Sequence, residues 1–322
     1  EISEDGTTYT FYLQKNGKWS NGDPVTADDF VWSWKRILTP SLGSQYPDML
    51  YYVKGAADYH TGKINDFNDV GVKALDSFTL EVTLNNPTPF FLGLLSHYST
   101  WPVHKETVLQ HGAIDDRNGQ WTRPGNFVCN GAFKLKTWEL NNKIIVEKNE
   151  NYWDSKTVQL NEIHYYPVAN QMTEDRMFRA GQLHVTSSLP SQKCSSYIEE
   201  KNPNLRIDPY MGTYFYRFNV NNPALVDPRV RKALAYSVNR KQIVEKVTKC
   251  GQIPAYSFTP PGSNGYEPDT EIPFNPELAK KLLVEAGYDE SNPFPKLEIL
   301  FNTNEDHRKV ALAIQQMWQQ NL

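Results

Sequence analysis

The hydrophobic period of this chain never lasts longer than one element. Residues 7–14 alternate, Tyr9, Phe11 and Leu13 against Thr8, Thr10 and Gln14, the pattern of a half-buried strand. After the turn Asn21-Gly22-Asp23-Pro24 the period is helical. Phe30, Val31, Trp34, Ile37 and Leu38 share a face behind the capping pattern Thr26-Ala27-Asp28-Asp29, and Pro40 ends the run. Residues 70–84 return to period two, with Phe78, Leu80, Val82 and Leu84 set against Thr79, Glu81 and Thr83. A short apolar helix, Phe90 to Leu95, follows Pro87 and Pro89. Coiled coils and solenoids need one period sustained or repeated, and this chain has neither. A mixture this irregular specifies an α/β or α+β protein of several lobes.

The second half continues the mixture. A hairpin is expected over 131–148, turning at Asn141-Asn142, where Asn tolerates positive φ. Thr173 is expected to cap a helix running to Ala180 and closed by Gly181. Residues 209–220 read as an aromatic strand. Asp227-Pro228 begins a helix reaching about Val247, and Asn275-Pro276 begins another that ends at Gly287. Leu297 to Phe301 reads as a strand. A last helix starts near Asn304–Asp306, with Val310, Ile314, Met317 and Trp318 on one face. Residues 98–130, rich in Gly, Pro, Asn and Thr, show no clean period and read as connecting structure.

Composition narrows the function. A length of 322 residues suits about two domains. A net charge of −4 argues against nucleic acid as partner, which requires a basic field. No stretch of 18 apolar residues would cross a bilayer. The polar start Glu1-Ile2-Ser3-Glu4 has neither an initiator Met nor a signal-peptide core, and is expected to mark a processed, cut or partial chain. Cys129, Cys194 and Cys250 are too scattered for a zinc ribbon, and one bridge among them would leave one thiol free. Aromatic residues reach 13%, which fits either a ring-rich core or a cleft lined with rings. GxSxG, Walker, GxGxxG and HExxH patterns are absent. The seven His are scattered, and the carboxylate pairs Asp28-Asp29 and Asp115-Asp116 read as caps and solvated loops. Arg229, Arg231 and Lys232 read as a surface ion-pair cluster offset by Asp227. No catalytic group, metal site or cofactor is expected.

Several segments together carry a resemblance. Tyr9-Thr10-Phe11-Tyr12-Leu13-Gln14-Lys15 with Trp19-Ser20-Asn21-Gly22-Asp23-Pro24-Val25-Thr26-Ala27-Asp28-Asp29-Phe30-Val31 resembles the signature region of the extracytoplasmic solute-binding proteins of peptide ABC importers, solute-binding family 5. So do Asn130-Gly131-Ala132-Phe133-Lys134-Leu135, Asn149-Glu150-Asn151-Tyr152-Trp153-Asp154, Asp227-Pro228-Arg229-Val230-Arg231-Lys232-Ala233-Leu234 and Pro254-Ala255-Tyr256-Ser257-Phe258-Thr259-Pro260-Pro261. The oligopeptide-binding and murein-peptide-binding branches are the nearest in kind, and the likeness runs through essentially the whole chain.

The resemblance implies a three-lobed, type II periplasmic-binding-protein-like fold, incomplete here at both ends. Residues 1–104 would form the extra lobe, 105–211 part of the first ligand-binding lobe, and 212–322 the N-terminal half of the second. It implies a periplasmic monomer that binds an extended oligopeptide between closing lobes and presents it to importer permease subunits. A murein-peptide or other acidic-ligand binder of the same family is the alternative, and a peptide or glycan hydrolase a more distant one. By position, Tyr46 matches a ligand-contacting Tyr, Tyr210 a cleft aromatic, and His307 a His that meets the C-terminal carboxylate of some peptides. Each has an ordinary alternative as a packed ring or a solvated His. There are two departures from the pattern. Gly212 stands where close members carry a Cys that pairs with a later one. Arg217 stands where the oligopeptide binders carry an acid, and a cation there would favour an acidic ligand group.

Overall fold

Tyr9 and Phe11 lie opposite Val82 and Leu80 in an antiparallel ladder, and this pairing organises the first half of the molecule. The computed structural model describes every residue except Asn264 and Thr270. By internal contacts the chain divides into two compact units, Glu1–Pro167 and Val168–Leu322. The lobe breaks expected near 104 and 211 fall inside these units.

Unit 1 is built on a three-stranded antiparallel sheet in the order β1 (Thr8–Tyr12), β3 (Thr79–Thr83), β2 (Val72–Asp76). Alternation places Leu80 and Val82 in the core and leaves Thr79, Glu81 and Thr83 half-buried. Helix α1 (Ala27–Leu38) covers that face with Trp34 and Leu38. Its start is the expected capping box: the Asp29 carboxylate accepts from the Thr26 backbone N–H at 2.8 Å and from Trp19 Nε1 at 3.2 Å. Two short helices, α2 (Ala56–His60) and α3 (Phe91–Leu94), close the core with Ala56 and Phe91.

The stretch expected to be irregular contains helix α4 (Lys105–Gln110). Its cap is His104, whose Nδ1 accepts from the Thr107 N–H, so no Ser, Thr, Asp or Asn announced it. Trp34 Nε1 donates to Thr100 O at 2.9 Å, and Val103 N–H donates to Ser33 Oγ at 2.9 Å, which seats this stretch on α1. The expected hairpin forms as β4 (Phe133–Glu139) and β5 (Lys143–Lys148), with Asn141 at φ 59°. A third strand, β6 (Glu162–Tyr165), pairs with β5.

Unit 2 is largely helical. Helix α5 (Gln171–Arg179) is capped by Asn170 rather than the expected Thr173, and Gly181 follows it at φ 74°. Helix α6 (Ser191–Glu199) is joined to α5 through the buried Asp175, which accepts from Arg179 Nε at 3.0 Å, from Tyr197 OH at 3.2 Å and from Lys193 Nζ. A disulfide ties Cys194 on α6 to Cys250, and Cys129 remains a half-buried thiol.

Helix α7 (Pro228–Tyr236) starts on the Asp227 cap as expected, but it stops well before Val247. Asn239 caps a new start, α8 (Arg240–Gln242), which continues as a π-helical turn, Ile243–Thr248. Helix α9 (Pro276–Glu285) packs Ala279 and Leu283 on Val230, Ala233 and Leu234 of α7. Helix α10 (Glu305–Asn321) packs Val310, Ile314 and Met317 on Val238 and Ile243. The expected strands over 209–220 and 297–301 belong to no ladder among the described residues. Their period-two pattern is present, but a strand needs a neighbour to pair with.

Candidate functional site

Asn304 fixes the geometry around His307. Its side-chain oxygen accepts from the backbone N–H of Asp306 at 2.9 Å and of His307 at 3.1 Å, capping α10. Two of the amides at this helix start are therefore already used. What remains for a ligand is the imidazole and the positive end of the helix dipole. His307 Nδ1 bonds the Asn302 side-chain oxygen. That bond requires a proton on Nδ1 and leaves Nε2 as the free nitrogen.

Tyr214 lies against the imidazole with ring centroids 4.7 Å apart. Tyr216 meets Tyr214 edge-on at 5.7 Å, and their hydroxyls are 3.5 Å apart. Burial, helped by the Tyr214 hydroxyl, pushes the Tyr216 phenol well above its usual range, so it stays neutral. The intervening positions contact different partners. Phe215 packs edge-on against Phe258 at 4.9 Å, Thr213 Oγ1 donates to Phe258 O at 2.7 Å, and the Arg217 guanidinium sits 5.5 Å above the Phe215 ring. Residues 213–217 thus sort by parity into a His307 group and a Phe258 group, as an extended segment does even without a ladder.

Arg217 is exposed and has no acid within ion-pair distance among the described residues. Tyr210 is 90% exposed. Its ring lies over Gly212, where an added Cβ would come 2.4 Å from Tyr210 Cε1. A larger residue at 212 would push that ring aside. Tyr46 belongs to unit 1 and is 38% exposed. It meets His97 edge-on at 5.2 Å and Tyr98 edge-on at 5.9 Å, and His97 stacks on Tyr98 at 4.3 Å.

Of the four residues expected to contact ligand, then, Arg217 and His307 flank one aromatic segment on different sides, Tyr210 precedes it, and Tyr46 anchors a separate ring trio. Sequence reading missed His97, Tyr98, Tyr214, Tyr216 and Asn302. Only the Tyr214/Tyr216 alternation carried a usable signal. Among the described residues no three His, Cys, Asp or Glu side chains converge as a metal site would require. Among the described residues no helix is long and apolar enough to cross a membrane.

Comparison with known proteins identifies relatives of the chain. Residues 1–322 match the model described as bacterial extracellular solute-binding proteins, family 5 Middle. The chain is 39% identical over 330 residues to the periplasmic oligopeptide-binding protein OppA of Salmonella typhimurium, covering 99% of this chain and 59% of that protein. It is 35% identical to the periplasmic murein peptide-binding protein MppA of Escherichia coli, again covering 99% of this chain and 59% of the relative. Among solved structures, a Borrelia burgdorferi periplasmic oligopeptide-binding protein superposes with a TM-score of 0.88 at 36% identity, over 100% of this chain and 63% of that one. A Haemophilus influenzae OppA complex with RPPGFSPFR superposes with a TM-score of 0.86 at 36% identity, over 100% of this chain and 63% of the other. The chain therefore spans about three fifths of its relatives' length, 59% for the two sequence relatives.

Proposed function

The chain belongs to the family 5 bacterial extracellular solute-binding proteins, and from that membership we propose that it is the ligand-binding part of a peptide importer subunit. It would hold an extended oligopeptide between two closing lobes and deliver it to the permease of an ABC transporter. The observation that carries this reading is the match of residues 1–322 to one family, together with 39% identity to relatives named for oligopeptide binding. In this reading residues 1–104 are an extra lobe, 105–211 contribute to the first ligand-binding lobe and 212–322 begin the second. Tyr46, Tyr210, Arg217 and His307 face the peptide. The protein acts by binding alone: backbone pairing holds the peptide as an added strand, and rings tolerate varied side chains. It works outside the cytoplasm, where the Cys194–Cys250 bridge would persist.

Arg217 favours a second reading, a preference for acidic ligands such as murein peptides. It is an exposed cation with no acidic partner among the described residues, so a ligand carboxylate would be its natural counter-ion.

Calorimetry of a protein carrying both complete ligand-binding lobes, with peptides of increasing length and alongside free amino acids, tests the main reading. Saturable binding of intact peptide and none of amino acids is expected. Mass spectrometry of the recovered ligand completes the test. Cleaved peptide would point to a hydrolase, and absence of binding would remove the proposal.

A further inference from the structure

Three of the segments that carry the family resemblance meet at one small pocket in unit 1. None of the four expected peptide-contacting residues lines it. The cavity measures about 150 Å³. Leu13, Val25 and the Trp153 indole supply its apolar walls, and Gln14, Lys18 and Asn130 its polar ones. Trp153 is 50% exposed, which is unusual for the side chain with the most area to bury. The Lys18 ammonium, the Gln14 and Asn130 amides and Trp153 Nε1 have no side-chain partner among the described residues.

The walls are held rigidly. Ser20 N–H donates to Cys129 O at 2.7 Å, and Asn151 Nδ2 donates to Ser20 O at 3.0 Å. Asn149, only 1% exposed, donates through Nδ2 to Gly131 O at 2.9 Å. Val25 N–H donates to Gly17 O at 3.0 Å, and Lys18 bridges Pro24. Residues distant in sequence are thus locked around a space whose polar lining is left unused. Preformed cavities whose apolar walls carry a few free polar groups are where small ligands bind, and here apolar and polar walls share the lining about equally.

We propose that this pocket binds a small ring carboxylate. The ring would lie on the Trp153 indole between Leu13 and Val25. The carboxylate would pair with Lys18 and accept hydrogen bonds from the Asn130 and Gln14 amides. The size fits: a cavity of about 150 Å³ takes one six-membered ring, whose substituents would project through the open mouth. The charge fits as well, because one unpaired cation with amide donors suits one carboxylate better than a phosphate, which Arg forks recognise. Aromatic acids and sugar acids share this chemistry. The proposal does not depend on how peptide is bound, since no residue assigned to peptide lines the pocket.

The test reads the indole N–H signals of the eight Trp in the full chain by proton–nitrogen NMR. Trp153→Phe identifies the signal of interest. Benzoate, glucuronate and their neutral counterparts benzamide and glucose are titrated in turn. The expected result is a saturable shift of the Trp153 signal with one or both acids, the stronger acid naming the source. The neutral counterpart should bind about three- to tenfold more weakly, as the loss of one charged hydrogen-bonded contact predicts. Lys18→Gln, an exposed substitution, should remove that difference and leave peptide affinity as it was. The proposal is overturned if neither acid moves the signal, if acid and neutral ligands bind equally, or if Lys18→Gln changes nothing. Peptide calorimetry on the same samples reports separately on the peptide reading.

Discussion

His307 spends one ring nitrogen on Asn302 and keeps the other free, with the Tyr214 ring tilted against it. Such a group can read one ligand terminus but not the length of a chain passing over it. With Nδ1 holding its proton for Asn302, Nε2 donates to a ligand carboxylate only once the ring takes up a second proton on binding; His307→Ala should then weaken one length class of peptides about tenfold, the worth of one charge-assisted hydrogen bond, and spare the others. A peptide-length series in calorimetry checks this, and a uniform loss at every length would mean the ring only packs. Arg217 sits on the other parity of the same segment, over Phe215. Arg217→Glu should reverse the ranking of acidic and neutral peptides, since an unpaired charge rewards its opposite and penalises its like. An unchanged ranking would place the guanidinium away from ligand. The sequence exposed these two residues because each belongs to a recognisable local segment. It did not expose Tyr46's neighbours His97 and Tyr98, because their association with Tyr46 is tertiary and follows no spacing rule.

Helices α5 and α6 have few apolar contacts between them and depend on Asp175 instead. Burial by itself would raise the Asp175 carboxyl, but Lys193 and then Arg179 outweigh it, and the net shift is downward. A carboxyl depressed in the folded state stabilises fully above its unfolded value. That contribution is lost as pH falls through the folded value, so it disappears on the acid side of pH 4 or so. Asp175→Asn should therefore destabilise at neutral pH, by about 2 kcal/mol for a buried charged network left incomplete, and by less in acid. Thermal melts of both proteins from neutral to acid pH should converge. Elements of this kind were predictable where one residue announces the end: Asn141 in the hairpin, Asp227-Pro228 and Asn275-Pro276 at helix starts. They were not where the signal is absent or misleading. His104 is an unusual cap, β6 spans only Glu162–Tyr165, and the apolar run from Pro228 towards Val247 conceals the break that Asn239 caps.

Unit 1 divides its core unequally between its two sheets. In unit 1 the buried cluster is drawn from β1–β3, α1–α3 and the turns between them, whereas β4, β5 and β6 contain no fully buried side chain. Local stability follows buried apolar contact, so hydrogen exchange in residues 1–322 should be slowest in β1, β3 and α1 and markedly faster in the β4–β6 sheet. Equal protection in both sheets would show that the β4–β6 hairpin has support beyond its own packing. The distribution of sulfur also matters for how the chain reaches this state. Three cysteines allow three single-bridge pairings, and only Cys194–Cys250 is native. Burial raises the Cys129 thiol above its usual range. At neutral pH it is then scarcely ionised, and exchange proceeds through the thiolate. Once unit 1 has folded, Cys129 is withdrawn from the competition, and the oxidant is left with a single productive choice.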